Sequence, residues 1–185
     1  DTIKPPLFPI KITEFPGHLQ YRDVGDDDFV LAADAQDAGA RYDSAGPGEV
    51  TVKSRLIPHV GRTCGYRVTW HGRSVTYMSD HQMPIDGSMA ASDAALELAA
   101  GADLLIHDSQ YTDAEFANKR DWGHCTIDYA VWLAAEAGAK QLALFHHDPT
   151  RSDDALDALF RVARDQGERR GVEVVAAAEG LTVLV

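Results

Sequence analysis

Four positions along the chain place a side chain that can hold a cation or move a proton at the border of a strand or helix. His59 follows "SRLIP", Asp80 ends "SVTYMSD", His124 lies in "WGHCT", and His146 follows "QLALF". An aspartate is a poor strand former, so Asp80 at the end of a β-branched run needs a reason other than propensity. One carboxylate with several imidazoles is a ligand set that suits zinc, manganese or iron. His107 and Asp108, at the end of "DLLIHD", have the place of supporting groups. A carboxylate beside a working imidazole fixes its tautomer and stabilises its cation. No compact pair such as H-E-x-x-H occurs, so these side chains must converge from separate loops. His18 and His71 read as loop and turn residues, and His81 as a residue flanking Asp80.

Convergence of that kind needs strands that stop at one edge. Residues 49–80 are β-branched and partly alternating: "EVTVKSRLI", "CGYRVTW" and "SVTYMS" read as three strands, with "HG" as the tight turn of a hairpin between the last two. From Ala91 onward, helices and strands alternate. "SDAALELAA" is a helix capped by Ser92, "DLLIH" a strand, and "TDAEFANKR" a short helix beginning at Thr112. "TIDYAVWLAAEAG" is an amphipathic helix capped by Thr126 and stopped at Gly138. "QLALF" is a strand, and the helix after it has Ser152 as its cap. "VEVVAAA" and "LTVLV" read as a closing pair of strands. The order predicts an α/β fold (α+β by some schemes), with a mixed sheet and helices packed on it. "AAGADLLIHDS" and "AEAGAKQLALFHHDP" echo one another, each releasing histidine and an acid at the C-terminal end of a strand, where open α/β sheets build sites.

Upstream, "DTIKPPLFPIKITEFPG" is too rich in Pro for helix and reads as an extended connector. An acidic patch, "DVGDDDF", leads into a strand at Phe29–Ala33, and "DAQDAGARYDSAGPGE" reads as a surface loop. The 185 residues suit one domain, 1–185, with a sizeable core. Seventeen basic against twenty-nine acidic residues give a formal charge of −12, which works against binding to nucleic-acid phosphates or an anionic membrane. No apolar run is long enough to span a bilayer, and no secretory pattern opens the chain. Cys64 and Cys125 lack the spacing of a zinc knuckle and read as reduced thiols, so a cytoplasmic setting is expected. The first residue is Asp1 rather than Met, from which sequence missing upstream is expected.

Four segments in order, "LIPHVGRTCGYRV", "GRSVTYMSD", "DLLIHDSQYTDAE" with "WGHCT", and "LALFHHDP", resemble the metallo-β-lactamase-fold hydrolases, in the branch of ribonuclease Z and its phosphodiesterase relatives. The resemblance runs from about Pro5 to Asp153. It implies the second half of an αββα sandwich and a site with two divalent metal ions, zinc foremost, with manganese or iron as alternatives. It further implies His59 as an imidazole ligand of the first metal, Asp80 as the carboxylate bridging both, and His146 as a ligand of the second, with His147 its neighbour. His124 takes the place of a non-ligand imidazole facing the scissile phosphate, oriented by Asp108. Such enzymes attack phosphorus with a metal-bridging hydroxide, and His124 would serve the leaving oxygen.

Two departures modify these expectations. The family's metal signature H-x-H-x-D-H occurs nowhere in the sequence. The chain is therefore expected to be the second half of the sandwich, short of ligands and inactive by itself. The branch that processes tRNA carries a long arm between the "GYR" strand and the bridging acid, whereas only residues 67–79 separate Tyr66 from Asp80 here. A small phosphodiester is thus expected as substrate, with long nucleic acid disfavoured. Relatives of this fold are often dimers, and a homodimer is expected on that ground. A thioester or lactone hydrolase on the same scaffold, and a non-catalytic module that has lost its metal site, are the other readings of the same residues.

Overall fold

Pairing register explains why the working side chains gather at one edge. The structure, a computed structural model, describes residues 50–185, together with the backbone of two strands at 20–23 and 28–32. The Pro-rich connector, most of the acidic patch and the 34–49 loop lie outside the described residues. Eight strands form one sheet in chain order: β1 (Gln20–Asp23), β2 (Asp28–Ala32), β3 (Val50–Ile57), β4 (Thr63–Trp70), β5 (Arg73–Met78), β6 (Leu104–Asp108), β7 (Gln141–Phe145) and β8 (Glu173–Ala176). Pairing is antiparallel from β1 to β5 and parallel from β5 to β8. The sheet is mixed, as the sequence predicts. The expected turn lies between β4 and β5, where His71 and Gly72 both have positive φ, of 47° and 73°. Both central residues of a type I′ hairpin turn need that conformation.

Parallel neighbours need crossovers, and helices supply them. α1 (Asp93–Ala99) joins β5 to β6, α2 (Asp113–Phe116) and α3 (Ile127–Glu136) join β6 to β7, and α4 (Asp153–Arg170) joins β7 to β8. A side-chain hydroxyl caps each N-terminus: Ser92, Thr112, Thr126 and Ser152 accept a backbone N–H of the first turn. At Thr112 the cap is reciprocal, because the Glu115 carboxylate accepts the Thr112 N–H.

The helices share one face of the sheet. Glu97 of α1 takes Lys53 and Arg55 from β3, Leu98 O accepts from Thr76 of β5, and Leu105, Leu142, Leu144 and Val174 enter the same core as Leu98, Val131 and Leu133. Side chains alternate along a strand, so the other face carries the remaining set. Register places Val68 beside Val75, and Tyr66, Tyr77, Ile106, Ala143 and Val175 in a row across five strands. The Tyr77 and Phe145 rings meet at 5.8 Å on that face. None of the described helices packs there, and Trp70 and Tyr77 are 40% and 39% exposed. This side of the sheet is apolar and, among the described residues, uncovered by helix.

The predicted closing pair of strands is corrected in part. β8 forms, but residues 181–185 make no strand. Leu184 is 84% exposed, and the tail meets the sheet through the Gln141 amide donating to Leu184 O at 3.1 Å. Alternating apolar residues specify a strand only when one face has somewhere to bury. Here they do not.

Candidate metal centre

Because β5, β6 and β7 run parallel, their C-terminal ends open on one edge, with Met78 paired to His107 and Asp108 to Phe145. Asp80 follows β5, Asp108 ends β6, and His146 follows β7. His146 has φ of 57°, a left-handed conformation rare outside glycine, so the chain turns sharply as it leaves the strand. His124 comes from the loop between α2 and α3. That loop is tied to the residues after β6 by two backbone bonds, Tyr111 N–H to Cys125 O at 3.1 Å and Ile127 N–H to Tyr111 O at 2.9 Å.

At the centre of the group lies Asp108, fully buried. Its Oδ2 accepts from His124 Nδ1 at 2.7 Å and from His146 Nδ1 at 3.4 Å, and its Oδ1 accepts the Gln110 N–H at 3.1 Å. A carboxylate can only accept, so the proton sits on Nδ1 of both rings and leaves each Nε2 with its lone pair. Burial works to raise the Asp108 pKa, but the bonds from His124 and His146 hold it below the usual carboxylate value. The same bond raises the His146 pKa against an opposing effect of burial, aided by the charges of Asp108 and Asp80. His146 Nδ1 lies 4.0 Å from Asp80 Oδ1, and the His124 and His146 ring centroids are 4.8 Å apart.

Asp80, His124 and His146 each offer a ligand atom, and these atoms all lie within 4.8 Å of one another. One carboxylate and two imidazoles fit a divalent transition cation by chemistry. Asp108 bonding to both rings is the outer support such ligands have. Three candidate ligands among the described residues are fewer than the four of a closed structural zinc site.

His59 stands beside this group. Its Nδ1 donates to Gly123 O at 2.8 Å, and its ring meets the His124 ring at 5.7 Å. A Cβ on Gly123 would come within 2.3 Å of His59 Cε1, and its φ of 96° suits glycine alone. Of the residues singled out in the sequence, the fold joins Asp80, Asp108, His124 and His146 directly and reaches His59 through His124. His147 turns away, meeting Ala177 O at 3.3 Å.

One pair departs from its sequence reading. His81 is a core residue, not a mere flanking one: it is fully buried, and its Nδ1 lies 2.8 Å from Nε2 of the equally buried His107. His107 therefore faces away from the ligand group that its neighbour Asp108 supports. Burial, then the neighbouring His107, lowers the His81 pKa to about 3, and burial lowers that of His107. Burial thus disfavours the charged form of both rings. The available signal was the alternation rule applied to "HD": adjacent strand residues face opposite sides, so one serves the rim and the other the core.

Residues 23–147 match the beta-lactamase superfamily domain. A ribonuclease Z from Brevibacillus brevis is 44% identical over 73 residues, covering 38% of this chain and 22% of that protein. One from Synechococcus sp. WH7803 is 42% identical over 120 residues, 60% of this chain and 35% of that protein. One from Ignicoccus hospitalis is 27% identical over 164 residues, 80% of this chain and 54% of that protein. The chain thus spans between about a fifth and about half of the length of these relatives. Among solved structures, the metallo-beta-lactamase fold protein YhfI from Bacillus subtilis superposes with a TM-score of 0.56 at 25% identity, covering 75% of this chain and 50% of that one. The short form of human tRNase Z gives 0.53 at 23% identity, covering 74% and 43%, and shares the fold. Sheet order, helix placement and the family match agree, and the chain belongs to the metallo-β-lactamase superfamily.

Proposed function

We infer that the chain supplies the second half of a dinuclear metallohydrolase centre acting on a small phosphodiester. The observation that carries this reading is His124, held by the buried Asp108 and facing the Asp80–His146 pair. In this proposal Asp80, His146 and His59 would hold the cations together with the remaining ligands. Zinc, with manganese or iron as alternatives, would supply Lewis acidity there and lower the pKa of a bound water. His124 keeps its Nδ1 proton on Asp108 and presents Nε2 to the leaving oxygen, where a positioned imidazole carries a proton. Asp108 fixes that tautomer and favours the imidazolium form.

Two further features support the half-site reading. H-x-H-x-D-H is absent from the 185 residues, and the apolar sheet face carrying Trp70, Tyr77 and Phe145 has the character of a surface made for a second sheet. The preference for a small substrate is supported by the net charge of −12 and by the two-residue turn between β4 and β5, which leaves that connection without an arm. The test is hydrolysis of bis(4-nitrophenyl) phosphate and of a thioester, by the chain alone and by the chain co-expressed with a ribonuclease Z N-terminal half carrying H-x-H-x-D-H. Metal per chain is counted by plasma mass spectrometry. Phosphodiester turnover only in the complemented assembly is expected. About two tightly held ions on the chain alone would overturn the half-site reading, and thioester turnover without phosphodiester turnover would overturn the substrate class.

A further inference from the structure

Each of three residues at the centre has a sequence neighbour turned into the core, and those neighbours touch one another. Asp80 is followed by His81, Asp108 is preceded by His107, and His124 is followed by Cys125. His81, His107 and Cys125 are all fully buried.

The donors and acceptors of this cluster can be assigned in one direction. His107 Nδ1 lies 2.7 Å from Asp108 O, and a carbonyl only accepts, so that nitrogen carries the proton. His107 Nε2 is then a bare acceptor. His81 Nδ1, 2.8 Å away, must donate to it. The chain of bonds stops at His81 Nε2, which is buried and has no hydrogen-bond partner. On the other side, the Cys125 thiol donates to the same Asp108 O at 2.9 Å. Tyr129 of α3 lies against both imidazoles, at 5.8 Å and 6.3 Å between ring centroids, and its hydroxyl donates to Ala90 O at 3.0 Å. A single carbonyl, that of Asp108, is the hub.

The β5–β6 ladder ends at Met78 and His107, before Asp80 is reached. Beyond it, the loop bearing Asp80 is tied to the rest of the sheet by Gln82 N–H donating to Pro58 O at 2.8 Å and by the His81–His107 bond. Two apolar side chains of similar size would fill the same space without leaving an unpartnered nitrogen, an arrangement that costs stability. What the imidazole pair adds is a directional bond between the two residues that flank the two carboxylates.

We propose that the His81–His107 hydrogen bond is a positioning clamp that fixes the Asp80 loop against the end of β6 and so sets the spacing of the Asp80 and Asp108 carboxylates around His146. The clamp rests on the metal-centre reading for its purpose, but its geometry can be tested without metal. His81 and His107 are positioning residues, because neither faces the ligand group.

The experiment uses the full chain and three substitutions. His81→Phe removes the donor, His81→Asn keeps an N–H near the Nδ1 position, and Leu133→Ala weakens the core of α3 without touching the clamp. Long-range ¹H–¹⁵N spectra of the metal-free protein report imidazole tautomers, and calorimetry with zinc reports affinity. In the wild-type chain both buried rings should be Nδ1–H tautomers. His81→Phe should shift the His124 and His146 ring signals and weaken zinc binding about 10-fold or more, the scale of a lost outer-sphere support. His81→Asn should restore both readouts, and Leu133→Ala should lower the thermal midpoint while leaving zinc affinity unchanged. Unchanged His124 and His146 signals in a folded His81→Phe protein would overturn the clamp, as would equal zinc loss in Leu133→Ala. A wild-type chain that takes no zinc while its ring signals respond as expected would remove the metal reading and leave the clamp standing. If His81→Phe does not fold, His81→Gln replaces it, since its amide extends past the position that donates to His107.

Discussion

His124 and His146 share one carboxylate yet are assigned different work, and single substitutions separate them. His146 reaches Asp80 and Asp108 from a strained left-handed position, and losing its ring removes a ligand. His146→Ala should therefore lower the metal content of the complemented enzyme by one ion per chain, read by plasma mass spectrometry. His124→Ala should leave both ions in place and slow phosphodiester turnover by roughly 100- to 10,000-fold, the range for a lost general acid. Loss of an ion in the His124 variant would make it a ligand instead, a role its place within 4.8 Å of the other two also allows. Gly123 is a third test at this scale. An alanine there meets the His59 ring at 2.3 Å and sits at an unfavourable φ of 96°. Gly123→Ala should destabilise the fold by about 1–3 kcal/mol. Pairing it with His59→Ala should recover the steric share and leave the backbone share, a separation that a double-mutant cycle in denaturant measures.

Among the elements, the start of β6 is fastened by Asp103 as well as by the apolar packing of Ala102, Leu104 and Leu105. Asp103 Oδ2 accepts the Ser74 N–H at 2.8 Å, and its Oδ1 takes Lys140 at 2.8 Å and Arg73 at 3.2 Å, so one carboxylate links the starts of β5, β6 and β7. The Lys140 bond above all, then the Ser74 N–H and Arg73, hold its pKa down at about 2 from 3.8, against the effect of burial. A depressed folded-state pKa contributes stability that is present above the unfolded value and is lost as pH falls through the folded one. The window is therefore pH 4 to 2. Lys140 and Arg73 are 64% and 60% exposed, so solvent screening reduces the contribution to about 1 kcal/mol. Asp103→Asn should lower the thermal midpoint by a few degrees at pH 7, and the gap from wild type should close as pH drops from 4 to 2. Elements such as these were legible in the sequence because local signals agreed: Ser92, Thr112, Thr126 and Ser152 each mark a helix start, and "HG" marks the hairpin. "LTVLV" misled because alternation says nothing about whether a face is available to bury it. Asp80, Asp108 and His146 were legible through their placement after apolar runs, and His124 through its place in "WGHCT" just before a helix. The burial of His81 was not, since it depends on which way a loop turns once the ladder has ended.

At the scale of the molecule, the two faces of the sheet differ in what they bury. α1, α3 and α4 cover one, whereas Val68, Val75, Tyr66, Tyr77, Ile106 and Phe145 line the other, where no described helix lies. Asp108 belongs to the helix-free side by strand alternation, two residues beyond Ile106. The edge that holds the candidate centre therefore borders the apolar face, and a second sheet packed there would bring its own loops to the same edge. Under the proposed half-site reading, this would connect an H-x-H-x-D-H segment supplied from elsewhere to a surface the fold already possesses. Trp70 and Tyr77 are the exposed large apolar residues on that face, whereas Tyr66, Val68, Val75, Ile106 and Phe145 are half-buried. Exposed apolar surface of this kind marks an interaction site and can be measured directly. The chain alone should bind the dye anilinonaphthalene sulfonate with strong fluorescence while keeping the near-ultraviolet dichroism of a packed core, which separates an exposed face from a molten state. Tyr77→Lys with Trp70→Lys should cut that fluorescence severalfold and leave the dichroism of the helix-covered core intact. Co-expression with the complementary half should quench it in the wild-type chain. Dye binding that persists in the double variant would place the exposed apolar surface elsewhere, and the sheet would then lose its claim to be the face on which the first half of the sandwich docks.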